Sequence, residues 1–70
     1  MYQRIISQRE QEILTLIANE YRTYEIAQML YISTHTVQTH HKNLLEKMEV
    51  KNVAGLIRKS FEMGYLKLHD

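Results

Sequence analysis

No cysteine occurs anywhere in this 70-residue chain, and at that length the absence narrows the fold more than any other feature. So short a chain lies near the lower limit at which buried apolar surface alone can hold a structure. Without thiols, neither disulfides nor a thiolate metal site can supplement it. Stability must come from packing, and helices joined by short turns are the arrangement within reach. The absence of proline and the presence of only two glycines agree with this, as do apolar residues recurring at steps of three and four. No stretch reads as a strand. The expectation is one all-α domain over residues 1–70, a four-helix, bundle-like unit, with no room for a second domain. No apolar run nears the roughly 18 residues of a membrane crossing, and the start lacks the order of a secretion signal. The chain therefore reads as cytoplasmic, with no membrane role, and cysteine-free composition suits a reducing compartment.

Four capping signals divide the chain. Ser7-Gln-Arg-Glu10 has the form of a capping box, with the Ser7 hydroxyl accepting from a first-turn amide and Glu10 reaching back to the Ser7 amide. This predicts a first helix over about 8–20, burying Ile13, Leu14, Leu16, Ile17 and Ala18. The charged run at 9–12 reads as a solvated face with local pairs. Thr23 can cap a short second helix, 24–30, that buries Ile26, Ala27 and Leu30. After a tight connection at Tyr31-Ile32, Ser33 caps a third helix, 34–48, facing inward through Val37, Leu44, Leu45 and Met48. Asn52 caps a fourth, 53–63, packing through Val53, Leu56, Ile57 and Phe61, with Gly64 as terminator. Tyr65 to Asp70 is a short tail.

Two helices joined by a turn of about three residues, with a small residue in the first and apolar residues on both sides of the turn, form a helix-turn-helix. Ala27 lets the second and third helices cross closely, and Ile26, Leu30, Ile32 and Val37 plug the crossing. On the free face of the third helix, His35, Gln38, Thr39, Lys42 and Glu46 make one polar stripe about three turns long, the amount of helix a DNA major groove admits. Gln38 can bond an adenine edge with both amide atoms, Lys42 can donate to guanine acceptors, and Thr39 offers a hydroxyl and a methyl to thymine. Phosphates would be met at Thr23 and Tyr24, at Thr34, His35 and Thr36, and by His41, Lys47 and Lys51. Charge is placed accordingly: net +1 overall, but −1 over residues 1–33 and +2 over 34–70, where all four histidines also lie.

At these residues the chain resembles a known family. Ile6-Ser7, Arg9-Glu10-x-Glu12-Ile13-Leu14, Leu16-Ile17-Ala18, Glu25-Ile26-Ala27, Leu30-Tyr31-Ile32-Ser33, Thr36-Val37-x-x-His40, Leu44, Lys47-Met48 and Val50-Lys51-Asn52 are similar to the LuxR-type (GerE-like) DNA-binding domain, over about residues 5–60. The resemblance implies a domain of bacterial transcription factors whose third helix reads DNA, with contacts at Gln38, Thr39 and Lys42, and whose fourth often mediates dimerisation. It also implies possible attachment to a receiver or sensor domain and a working relation with RNA polymerase. Departures are Glu20 where the family usually has glycine, implying a different helix end, and Gln38 where a basic residue is common. Val53 and Leu56 stand in place of arginine and alanine at the start of the fourth helix.

Other readings compete with this one. His35, His40 and His41 are spaced so that no two imidazoles share a helix face, which argues against a metal site; His40, beside Val37 and Leu44, reads as a half-buried structural histidine. Gly55 inside the fourth helix is either tolerated or permits a close approach. With Ala54, Arg58 and Met63 it makes a candidate homodimer surface on residues 53–63. No nucleophile, base and orienting group occur together, so no enzyme and no cofactor are expected. The competing function is a helical protein-interaction module with a degenerate helix-turn-helix; the leading one is sequence-specific binding of double-stranded DNA to regulate transcription.

Overall fold

The computed structural model describes residues 6–68; His69 and Asp70, the end of the expected tail, lie outside them. Four helices follow one another: α1 (Gln8–Ala18), α2 (Thr23–Leu30), α3 (Thr34–Met48) and α4 (Val53–Glu62). No strand is present among the described residues. Helix α3 is the centre of the assembly, packed against each of the other three. Its buried Val37, Leu44 and Met48 meet Ile13 and Leu14 of α1, Ile26 and Ala27 of α2, and Leu56 of α4 in one core.

Three of the four starts are as the sequence predicts. Ser7 accepts from the Glu10 amide at 3.1 Å while the Ser7 amide donates to the Glu10 carboxylate at 2.8 Å, completing the capping box. Ser33 accepts from the Thr36 amide and Asn52 from the Gly55 amide. Helix α2 differs, since Thr23 is its first residue and Arg22 occupies the cap. The Arg22 amide donates to the Glu25 carboxylate at 2.7 Å, so a side chain from inside the first turn replaces the hydroxyl cap expected of Thr23.

The helix ends carry the larger corrections. Helix α1 stops at Ala18 and α4 at Glu62, short of the expected 20 and 63. At 20 the backbone turns left-handed, φ 68, and the Glu20 and Tyr21 amides donate back to the Ile17 and Leu16 carbonyls. This is the reversal that glycine favours, built on glutamate, so the different helix end expected from Glu20 does not occur. Tyr31 and Glu49 repeat it after α2 and α3.

Burial also departs from expectation in three places. Glu10 is only 4% exposed, not part of a solvated face, because α1 turns its first-turn acid toward α3. Val53 and Phe61 are 39% and 38% exposed while Ser60 is fully buried; α4 lies on the core through its 56–60 line, where a small residue sits at closest approach. Ile6 and Leu66, at the two ends of the described chain, close the core.

Candidate nucleic-acid interface

The α2–α3 crossing determines which side of α3 is free. Ala27 and Ile26 are buried under Val37, with Leu30 and Ile32 packed against them, so the opposite side of α3 faces outward. There Thr34, His35, Gln38, Thr39, Lys42 and Glu46 are all exposed. The three residues expected to read bases therefore stand together on one side of a single helix. The turn that sets the angle is held by the Ile32 amide donating to the Ala27 carbonyl at 3.0 Å.

Not every side chain of the stripe is uncommitted. The Thr39 hydroxyl donates to the His35 carbonyl at 3.0 Å, one turn back. At the helix start, Ser33 and Thr36 hydroxyls lie 2.9 Å apart, which restrains Thr36 to its capping role beside exposed Thr34.

Around this helix the expected phosphate residues divide. Thr23, at the start of α2, and His41, on α3, line one concavity together with Tyr21, Arg22, Ile26, Val37 and Val53. Tyr24 is exposed beside it. Arg22 lines the same concavity, a cation that reading the sequence did not single out. It precedes a residue already chosen, and what would have singled it out is that the chain entering a helix start brings its last side chain alongside. Lys51 stands exposed in the α3–α4 turn.

Lys47 lies elsewhere. Its ammonium donates to Glu10 at 2.7 Å, an ion pair with the carboxylate 5% exposed. Burial pushes the Glu10 carboxyl up, but the Lys47 bond and charge and the Ser7 amide and hydroxyl outweigh it, holding the pKa below the ordinary carboxylate value. Lys47 thus ties α3 to the start of α1.

His40 and His41 are both half-buried on the flanks of the inward face of α3. His40 Nδ1 and His41 Nε2 are buried without a hydrogen-bond partner among the described residues. No group of three or more His, Cys, Asp or Glu that could hold a metal occurs among the described residues, and no helix there is long and apolar enough to cross a membrane. Ala54 and Arg58 of α4 and Met63 just past its end are exposed, with Arg58 paired to Glu62 at 3.4 Å. Gly55 has a reason within the chain: a Cβ there would meet Val50 Cβ at 3.2 Å, so its smallness serves the α3–α4 turn.

Comparison with known proteins gives a consistent result. The sequence matches the GerE family, described as bacterial regulatory proteins of the luxR family, over residues 4–60. It is 44% identical over 62 residues to the transcriptional regulatory protein DesR of Bacillus subtilis, covering 89% of this chain and 31% of that protein. It is 43% identical to the oxygen regulatory protein NreC of Staphylococcus carnosus, covering 77% of this chain and 25% of the relative. Among solved structures, the transcription factor GerE superposes with a TM-score of 0.85 at 32% identity, over 89% of this chain and 92% of that one. The response regulator ChrA of a heme-sensing two-component system gives 0.88 at 27%, over 94% of this chain and 33% of that one. The chain thus spans between a quarter and a third of the length of the first two relatives.

Proposed function

Because the chain belongs to the luxR family of bacterial regulatory proteins, and so is a DNA-binding transcription regulator in kind, we propose that residues 1–70 act as one DNA-binding unit whose α3 enters the major groove. Gln38, Thr39 and Lys42 meet base edges there. The observation that carries this reading is the exposed polar stripe on α3, held outward by the buried Ala27–Val37 crossing. A solvated helix face is also polar, but it does not follow a tight turn and a serine cap against a small-residue crossing.

Phosphates meet Arg22, Thr23, Tyr24 and His41 around the start of α2, and Lys51 in the α3–α4 turn. Thr34, His35 and Thr36 contribute the start of α3. Lys47 is left out because Glu10 engages it. With one lysine on the reading face, affinity depends on these flanking contacts and on pairing of two copies through Ala54 and Arg58 of α4 and the adjoining Met63, on a site of two-fold symmetry. The greater length of the relatives supports control by an attached receiver or sensor domain, with RNA polymerase as the downstream partner, in the cytoplasm.

The test is selection from a random duplex library, followed by fluorescence anisotropy at two salt concentrations. A defined motif should be enriched, and log affinity should fall by about 0.9 per phosphate contact per log unit of salt. Lys42→Ala should weaken the selected site by about 1–3 kcal/mol and relax one position. No enrichment, with selected DNA bound no better than random DNA, would leave the protein-interaction alternative standing.

A further inference from the structure

Resting on that reading, we propose that Thr39 senses the 5-methyl group of thymine, and that its hydroxyl is not a hydrogen-bond donor to DNA. The inference comes from one contact. Threonine has a single hydroxyl proton, and in this chain it is directed to the His35 carbonyl at 3.0 Å within the same helix. That acceptor travels with α3, so docking on DNA does not remove it. What Thr39 presents outward is a methyl group and oxygen lone pairs.

The four base edges respond differently to that surface: the adenine and cytosine amines can donate to its lone pairs. Guanine offers two acceptors to the major groove, N7 and O6, and finds no donor at Thr39. Thymine offers a methyl group, which an apolar contact can desolvate. Gln38 and Lys42 flank Thr39 on the exposed stripe. Each carries donors, and neither side chain makes a hydrogen bond or ion pair among the described residues. The reading face therefore combines two donor side chains with one methyl reader. Removing one methyl from such a contact should change affinity about fourfold, the effect of one buried methyl-sized group.

The experiment uses the 70-residue chain and the duplex selected above, with each thymine replaced in turn by deoxyuridine, which lacks only the 5-methyl group. One position per half-site should lose about fourfold in affinity. Thr39→Val, which keeps the methyl and discards the hydroxyl, should bind as the parent does and show the same loss. Thr39→Ser, which keeps the hydroxyl alone, should bind thymine and deoxyuridine equally. Thermal melts confirm that both variants fold. Indifference of the parent to deoxyuridine at every position overturns the proposal, as does loss of binding in Thr39→Val, which would make the hydroxyl the reader. Failure to select any motif is a separate result that removes the DNA-reading premise itself.

Discussion

Glu20, Tyr31 and Glu49 hold left-handed backbone at φ 68, 58 and 57, a conformation in which a Cβ crowds the following carbonyl at about 1–2 kcal/mol per residue. Each closes a helix with paired amide-to-carbonyl bonds, so the short connections of this small domain are made with locally strained residues. Glu20 is exposed, and replacing it removes little besides the strain. Glu20→Gly should stabilise by about 0.5–1 kcal/mol, the relief being partly offset by the greater freedom of glycine in the unfolded chain; urea unfolding at neutral pH measures it. Ser60 poses the opposite problem, a fully buried hydroxyl with no partner among the described residues. Ser60→Ala should raise stability by about 1 kcal/mol, since the unpaired group is removed and alanine favours the helix. An unchanged or lowered midpoint would mean that the hydroxyl is satisfied in solution.

Between elements, the Glu10–Lys47 pair fastens the first turn of α1 to the last turn of α3 across 37 positions of sequence. Glu10 serves two purposes there, bonding the Ser7 amide at 2.8 Å and the Lys47 ammonium at 2.7 Å. Because its pKa is depressed in the folded protein, the associated stability is fully present above the ordinary carboxylate range. It is lost as pH falls from that range through the depressed value. Glu10→Gln should therefore destabilise by about 2 kcal/mol at pH 7, the scale of a charge-assisted hydrogen bond, and the gap to the parent should close in acid. Denaturant midpoints at pH 7 and near pH 3 would show it; a gap independent of pH would assign the loss to packing alone. The sequence announced Glu10 as a capping residue but not as a buried one. Capping depends on neighbours three residues away, whereas burial depends on how α1 lies against α3.

At the scale of the molecule, Lys42 is the one lysine on the exposed stripe of α3; Arg22, Lys51, Lys59 and Lys67 carry no ion pair among the described residues, while Arg9, Lys47 and Arg58 are engaged by Glu12, Glu10 and Glu62. On the proposed reading, in which the reading stripe holds one lysine, two copies bind together, and linked sites multiply effective concentration. Ala54→Glu places a charge on the exposed side of α4 without touching the core. It should weaken binding to a two-half-site duplex tenfold or more, a change of about 1.4 kcal/mol, yet leave binding to a single half-site as it was. Gel-shift titrations on the two duplexes distinguish this outcome from equal weakening of both, which would place α4 outside any dimer contact.

Helix existence, three of the four caps and the polar stripe of α3 followed from sequence because each depends on residues within four positions of one another, where spacing translates directly into geometry. The same locality let the Gln38, Thr39 and Lys42 group be placed on one side of α3. Tertiary structure decided what local spacing cannot: that α4 meets the core through Ser60 and not Phe61, that Gly55 makes way for Val50, and that Arg22 stands beside His41 at the mouth of one concavity. It also decided that Lys47 belongs to Glu10. Those outcomes depend on the angles at which whole helices cross, and a crossing angle is a property of two packed surfaces that neither segment carries alone.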